Sequence, residues 1–379
     1  MKPVYGKNFK LGILGGGQLG RMLIQEAASL DIQIHVLDPT HDAPCAELAN
    51  SFTCGEFRDY DTVMKFGTDK DLITIEIEDV NTQALKDLQA QGVKVCPDPA
   101  HLEIIKDKGI QKQFYADHNI ATSDFRLIES GTELTADDLP CVLKARTGGY
   151  DGKGVAVLRS ADDLAKAFDG PCVVEDLVDI EKELSVIIAR NEQGETKAFP
   201  VVELVFDPVA NLVDYLFAPA NIADDVAASA EKLAMQVADA LEFRGIIAIE
   251  MFLTTSGEVL VNEAAPRTHN SGHHSIEGNI CSQFEQHLRS VLNLPLGSTE
   301  TLRPAAMVNL VGAEGYTGPV IYDGFDDLLR MEGVYPHIYG KSTTKPFRKM
   351  GHVTILANEV AELPAKVAQV KETIRVISK

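Results

Sequence analysis

The chain has 379 residues, enough for two or three domains with substantial cores. Its 45% hydrophobic and 24% charged content excludes wholesale disorder and a fibrous repeat. Thirty-five Lys and Arg against 56 Asp and Glu leave a net charge of -21, which disfavours nucleic acid or an anionic membrane as the main partner; an anionic ligand needs locally gathered cations.

Between residue 10 and about residue 99, apolar runs at 11–14, 34–37, 72–77 and 93–96 alternate with helical patterns, predicting a parallel sheet with helices on its faces. A polar helix over about 105–118 leads to a region where strands come in adjacent pairs: 141–145 with 155–158, 173–175 with 184–189, and 246–253 with 259–261. That rhythm predicts an α+β domain on antiparallel sheet. From about 302, short strands at 306–311 and 353–356 and a closing helix from about 359 suggest a small third unit, so the expected division is 1–104, 105–301 and 302–379. Apolar runs fall far short of the roughly 20 residues of a membrane span. The N-terminus lacks a secretory pattern, and the six scattered cysteines form neither a zinc pattern nor a disulfide framework. The expectation is a cytoplasmic protein with no membrane partner.

The segment Gly15-Gly16-Gly17-Gln18-Leu19-Gly20 fits G-x-G-x-x-G between a strand and a helix, and Asp38 ends the next strand. Such a loop serves a dinucleotide, any phosphate ester at a helix N-terminus, or only tight strand-to-helix packing. A second loop, from Arg146 to Gly154, carries four glycines in its last seven residues and lies between two strands. Lys153 is followed by Gly154 and a β-run, so this is no Walker A loop. A hairpin lid over a triphosphate suits it, with Lys144 on the preceding strand as a phosphate cation; the alternative is an ordinary loose hairpin.

Counting outward from a two-residue turn at Ser256-Gly257 places Glu250 directly opposite Glu263. Opposed carboxylates are destabilising unless a cation lies between them, and hard oxygen ligands beside a phosphate point to magnesium. A slipped register that solvates both is the alternative. The run from Pro266 to His274 offers a guanidinium and an amide suited to a small planar oxyanion. A rival reading takes His269, His273 and Glu277 as a transition-metal set, but Ser271 and Gly272 oppose the helix that would align them. Glu76 and Glu78 alternate with isoleucines and share one face near a strand's carboxyl end, where open α/β sheets bind ligands. Lys341, Lys345, Arg348, Lys349 and His352 form a basic cluster, read as an anion site or a solvated charge run.

Taken in order, G-G-G-Q-L-G-R-M, K-A-R-T-G-G-Y-D-G-K-G, E-x-x-V and N-E-A-A-P-R-T-H-N-S-G-H closely resemble the ATP-grasp enzymes, and within them the 5-(carboxyamino)imidazole ribonucleotide synthases. The likeness runs from about Lys10 to His352. It implies mixed α/β and α+β architecture: a Rossmann-like preATP-grasp domain, an ATP-grasp domain and a small β-rich C-terminal domain, commonly in a homodimer. By the resemblance, ATP phosphates meet Lys108, Lys144 and the loop Gly149, Tyr150, Asp151, Gly152, Lys153, Gly154 and Val155. Glu175 and Val178 would meet the adenine and Glu183 the ribose, with Asp176, Leu177 and Phe206 also among the ATP contacts, and Glu250 and Glu263, with Asn262 beside them, would hold Mg2+ on the phosphates.

The implied reaction is ATP-dependent carboxylation of 5-aminoimidazole ribonucleotide by bicarbonate through carboxyphosphate. Arg267, His269 and Asn270 would hold the bicarbonate, and Tyr150, Asp151 and Glu76 would line the cavity near the amine. Lys345, Arg348 and Lys349, with Gly17, Gln18 and Leu19, would take the ribonucleotide phosphate. Two departures stand out: Glu203-Leu204-Val205-Phe206 replaces the E-N-x-H of many relatives, and Lys108 stands where arginine is frequent. The readings kept beside this one are a sister enzyme that formylates glycinamide ribonucleotide with formate, an NAD-dependent dehydrogenase resting on the first loop and Asp38 alone, and a nucleotide-binding protein without catalysis.

Overall fold

The computed structural model describes residues 3–149, 154–207 and 212–379. Its first unit is a five-stranded parallel sheet in the order Ser51–Cys54, Gln33–Asp38, Lys10–Leu14, Leu72–Ile75, Lys94–Val95. The central strands are nearly continuous apolar runs because helices cover both faces. On one face Gln18–Ser29 packs beside Gln283–Val291, a helix from far along the chain, so that Phe284 and Leu288 share a core with Leu11, Met22 and Ile34. On the other, Tyr60–Gly67 and Thr82–Ala90 bury Val63, Phe66, Leu85 and Leu88 against Leu14 and Ile73. The strand expected over 72–77 ends at Ile75, so Glu76 and Glu78 lie on the bend beyond it, beside the glycine loop that leaves the neighbouring strand.

The helix expected over 105–118 is two helices, Pro99–Lys106 and Lys108–Asp117. Asp107 separates them because its carboxylate caps the second helix, accepting from the Gly109 and Ile110 amides. Arg146 grips the same carboxylate through Nε and Nη2 at 2.9 and 2.7 Å, tying the helix start to the base of the second glycine loop. Lys108 is therefore the first residue of a helix.

A four-stranded antiparallel sheet follows, ordered Phe125–Ile128, Cys172–Asp176, Cys141–Ala145, Val155–Leu158. Beneath it a nine-stranded antiparallel sheet runs Val259–Ala265, Gly245–Thr254, Ile180–Arg190, Val202–Asp207, Leu212–Ala218, Ala305–Val311, Lys349–Leu356, Val334–Ile338, with Thr196–Ala198 on Ile180–Arg190. The helix Asp224–Ala240 buries Ala230, Ala234 and Val237 on Leu184, Val186, Ile247 and Ile249. The C-terminal strands extend this same sheet, Tyr215 pairing with Val308. The closing helix starts at Leu363, with Pro364 in its first turn after a 3-10 turn over Val360–Glu362, and packs Val367 and Val370 on Val353 and Ile355. No helix among the described residues is long and apolar enough to cross a membrane.

Candidate active site

The hairpin that carries the paired glutamates has a three-residue loop where two were expected. Thr254 N donates to the Glu258 carbonyl, Gly257 N donates back to Thr254, and Gly257 takes φ +84°, which glycine adopts without strain. The register is thus offset by one, with Leu253 opposite Val259 and Met251 opposite Val261. A bulge at Asn262 then takes up one residue and restores Glu250 opposite Glu263. The bulge also brings consecutive residues to the same neighbourhood: Lys144 Nζ donates to Asn262 Oδ1 at 2.7 Å, and Lys108 Nζ pairs with Glu263 Oε2.

Charge is unevenly shared in this cluster. Burial and the neighbouring Glu263 push the Glu250 carboxyl up to about 8. Burial would raise Glu263 too, but Lys108 outweighs it and holds Glu263 below the usual range. Glu183, on Ile180–Arg190, is raised to about 7 by burial despite Lys144. His269 Nε2 lies 3.4 Å from Glu250 Oε1, and the positive charge of Lys349 acts on Glu250. Lys108 thus acts on both facing carboxylates, paired directly with Glu263, while Lys349 reaches Glu250.

Behind the lysines, Glu175 meets a residue that the sequence reading passed over, Lys112. Glu175, 3% exposed, pairs with Lys144 at 2.9 Å through Oε1 and with Lys112 at 3.0 Å through Oε2. Burial opposes its charge, yet the two ammonium groups bring the carboxyl down to about 2. Lys112 also donates to Thr122 and Ser123, and burial lowers it to about 8. Its spacing of four from Lys108 puts both on one helix face, a signal that was legible.

Across the cleft, the first glycine loop is already occupied by the chain's own carboxylates. Gly16 N donates to Asp38 Oδ2 and Thr40 N to Asp38 Oδ1, both at 2.7 Å, while Leu19 N donates to Glu76 Oε1 at 3.1 Å. Asp38 is consumed in shaping the loop, which removes the ribose acceptor that the dehydrogenase reading needs. Burial raises Glu76 to about 7, and Arg267 Nε meets Glu78 Oε1 at 2.8 Å, joining this unit to the strand end beyond Glu263.

Family comparisons agree with this arrangement. The ribonucleotide synthetase preATP-grasp domain matches residues 9–106, the ATP-grasp domain residues 113–284, and the phosphoribosylaminoimidazole carboxylase C-terminal domain residues 305–366. The N5-carboxyaminoimidazole ribonucleotide synthase of Bacillus subtilis (strain 168) is 36% identical over 355 residues, 91% of each chain. The solved structure of the corresponding synthetase from Thermotoga maritima superposes with a TM-score of 0.91 at 42% identity, covering 98% of this chain and 100% of that one. The chain belongs to the N5-carboxyaminoimidazole ribonucleotide synthase family. The Aspergillus clavatus synthase, solved in complex with ADP and 5-aminoimidazole ribonucleotide, has a TM-score of 0.86 at 30% identity, covering 96% of this chain and 98% of that one.

Of the residues that the synthase resemblance singles out, Lys108, Lys144, Glu175, Glu183, Glu250, Asn262, Glu263, His269 and Lys349 converge here. Val155 pairs with Lys144 on the adjoining strand, and Gly149 and Gly154 stand at the two ends of the second loop. Tyr150, Asp151, Gly152 and Lys153 lie outside the described residues. Asp176, Leu177 and Val178 follow Glu175 at its strand end, and Phe206 is half-buried at a bulge two residues beyond Leu204, the partner of Glu183.

Asn270 is engaged differently: its side-chain amide exchanges hydrogen bonds with Asn309 at 2.9 and 3.1 Å. The basic cluster is not a single patch. Lys345 is exposed, and Arg348 donates to the carbonyl and hydroxyl of Thr343, while Lys349 acts on Glu250. The rival metal set fails to converge, because His273 packs on the His352 ring at 4.7 Å and Glu277 pairs with His337 at 2.8 Å. Among the described residues no group of three or more His, Cys, Asp or Glu is arranged to hold a metal.

Proposed function

We propose that this chain uses ATP and bicarbonate to carboxylate the exocyclic amine of 5-aminoimidazole ribonucleotide, giving N5-carboxyaminoimidazole ribonucleotide, ADP and phosphate. The observation that carries the reading is the convergence of Lys108, Lys144 and the facing Glu250 and Glu263 beside His269, in a chain whose relatives bear this name and are solved with ADP and with the ribonucleotide. ATP as co-substrate follows from the ATP-grasp match and from relatives in complex with ATP or ADP.

In the proposed reaction a bicarbonate oxygen attacks the γ-phosphorus and ADP leaves. The amine nitrogen then attacks the carbon of carboxyphosphate, phosphate leaves, and the nitrogen gives up a proton. Lys108 and Lys144 hold the phosphates and offset the charge that spreads over the transferring group. Arg267 and His269 fix the planar anion within reach of the amine, an entropic as well as an electrostatic contribution. The facing carboxylates fit Mg2+, with Glu250, Glu263 and Asn262 as the residues that would hold it; when bound it neutralises phosphate charge. The resemblance further supports a cytoplasmic homodimer and three units over 1–104, 105–301 and 302–379.

The test is ADP release from purified protein with MgATP, adding bicarbonate and 5-aminoimidazole ribonucleotide singly and together, with formate plus glycinamide ribonucleotide as control. Release that needs the imidazole nucleotide and rises with bicarbonate is expected. Release only in the formate control transfers the assignment to the sister reaction.

A further inference from the structure

His269 is held from behind by a buried chain of hydroxyls. Its Nδ1 accepts from the Ser271 backbone N–H at 3.3 Å and lies 2.8 Å from Ser271 Oγ. Ser271 Oγ is in turn 2.8 Å from Ser185 Oγ. Ser271 is 1% exposed and Ser185 fully buried, so solvent does not reorient either hydroxyl.

A backbone N–H is only a donor, and this sets every proton in the chain. Nδ1 must present its lone pair, so the Ser271 hydroxyl donates into it and accepts from Ser185. When His269 is neutral, its ring proton is left on Nε2, the nitrogen that lies 3.4 Å from Glu250 Oε1. Gln283 fixes the loop itself: its Oε1 accepts from His269 N at 2.9 Å and its Nε2 donates to the His269 carbonyl at 2.8 Å. The imidazole is thereby anchored at both backbone and ring.

We propose that Ser271, backed by Ser185, is a positioning residue that holds His269 as its Nε2–H tautomer, so that His269 meets the planar anion as a hydrogen-bond donor and not as a base. The proposal rests on the carboxylating reading above. It assigns the proton lost from the amine to another acceptor, since an imidazole whose Nε2 already bears hydrogen has no lone pair facing the cleft.

The test has two arms. Protein labelled with 15N-histidine, with the His269 signals assigned by their loss in His269→Gln, reports the tautomer directly and needs no turnover. The expected result is an unprotonated Nδ1 and a protonated Nε2 in the wild type, and a mixture of the two forms in Ser271→Ala. In the kinetic arm, Ser271→Ala lowers kcat about 10-fold, as loss of a ligand-orienting partner does, while KM for ATP stays unchanged. His269→Gln, which keeps an N–H near the Nε2 position but has no basic lone pair, outperforms His269→Ala by about 10-fold.

A protonated Nδ1 in the wild type overturns the proposal, as does a glutamine variant no better than alanine or an unchanged kcat in Ser271→Ala. If Ser271→Ala does not fold, the wild-type tautomer and the His269 pair decide alone. Failure of the wild type to turn over the imidazole nucleotide overturns the functional reading, while the tautomer is still read from the spectrum.

Discussion

Lys112 Nζ lies 3.0 Å from Glu175 Oε2 with both side chains almost wholly out of water, and the other Glu175 oxygen meets Lys144 at 2.9 Å. Lys144 also holds Asn262 beside the facing glutamates, so the buried carboxylate links the small antiparallel sheet to the hairpin. Lys112→Met leaves Glu175 with one cation and strands a desolvated negative charge, at a cost of about 3 kcal/mol. Lys144 is then drawn more strongly to Glu175. The expected outcome is a lower denaturation midpoint together with weaker ADP binding by calorimetry, and a variant with wild-type ADP affinity contradicts the linkage.

Glu263 is the carboxylate that Lys108 keeps ionised, while Glu250 opposite is pushed up by burial and by Glu263 itself. Glu263→Gln removes the ionised member of the pair and frees Lys108 from its partner. Turnover should fall by at least about 10²-fold, and the dependence of the remaining rate on magnesium should flatten. The melting temperature should move little, because losing the Glu263 charge also removes what pushes Glu250 up, and Glu250 can then act on Lys108. Near-normal turnover with an unchanged magnesium curve would sink the metal assignment.

The opposition of Glu250 and Glu263 was legible in the sequence although the route to it was not. A three-residue loop and a bulge at Asn262 offset each other, and neither leaves a mark in the alternation of apolar residues that a register count relies on. The glycine loops were legible as loops, but their occupants were not. Asp38 and Glu76 fill the first one from the ends of the two flanking strands, contacts that depend on sheet order and not on local spacing. Asp107 looked like one polar residue in a helical run, and its capping role shows only once Arg146 is seen to grip it. The strand Leu212–Ala218 was missed because it carries the sheet into the C-terminal unit, where its partner Ala305–Val311 lies far along the chain.

Gly17 is needed for space, not for backbone freedom. A Cβ placed there meets Glu76 Oε1 at 2.4 Å, and its φ of -77° suits any residue. Because the obstructing atoms are the free end of a side chain, Gly17→Ala displaces the Glu76 carboxylate more than it strains the fold. On the proposed reading, KM for the ribonucleotide rises about 10-fold while KM for ATP and the melting temperature hold. Equal rises in both KM values would show that the loop shapes the whole cleft and does not act through Glu76.

His287 supplies a pH dependence with a defined sign. The imidazole is 1% exposed, its Nε2 lies 3.0 Å from Thr74 Oγ1 on the parallel sheet, and burial lowers it to about 4. In the unfolded chain it titrates near 6.5, so as pH falls below that value the unfolded state takes up the proton first. Its contribution is full above about pH 6.5 and is lost progressively down to about pH 4, and the loss reaches roughly 2 kcal/mol by pH 5. Glu76 and Glu183 work in the opposite sense, since each is raised to about 7 and the folded state protonates first as pH drops. The wild-type stability curve mixes these effects, and the difference between wild type and His287→Gln isolates one of them. Chemical denaturation at pH 7.5 and pH 5 should show the glutamine variant losing less stability between the two than the wild type does. Parallel losses would mean that the imidazole is already charged in the fold and that its burial against Thr74 is sustained by another partner.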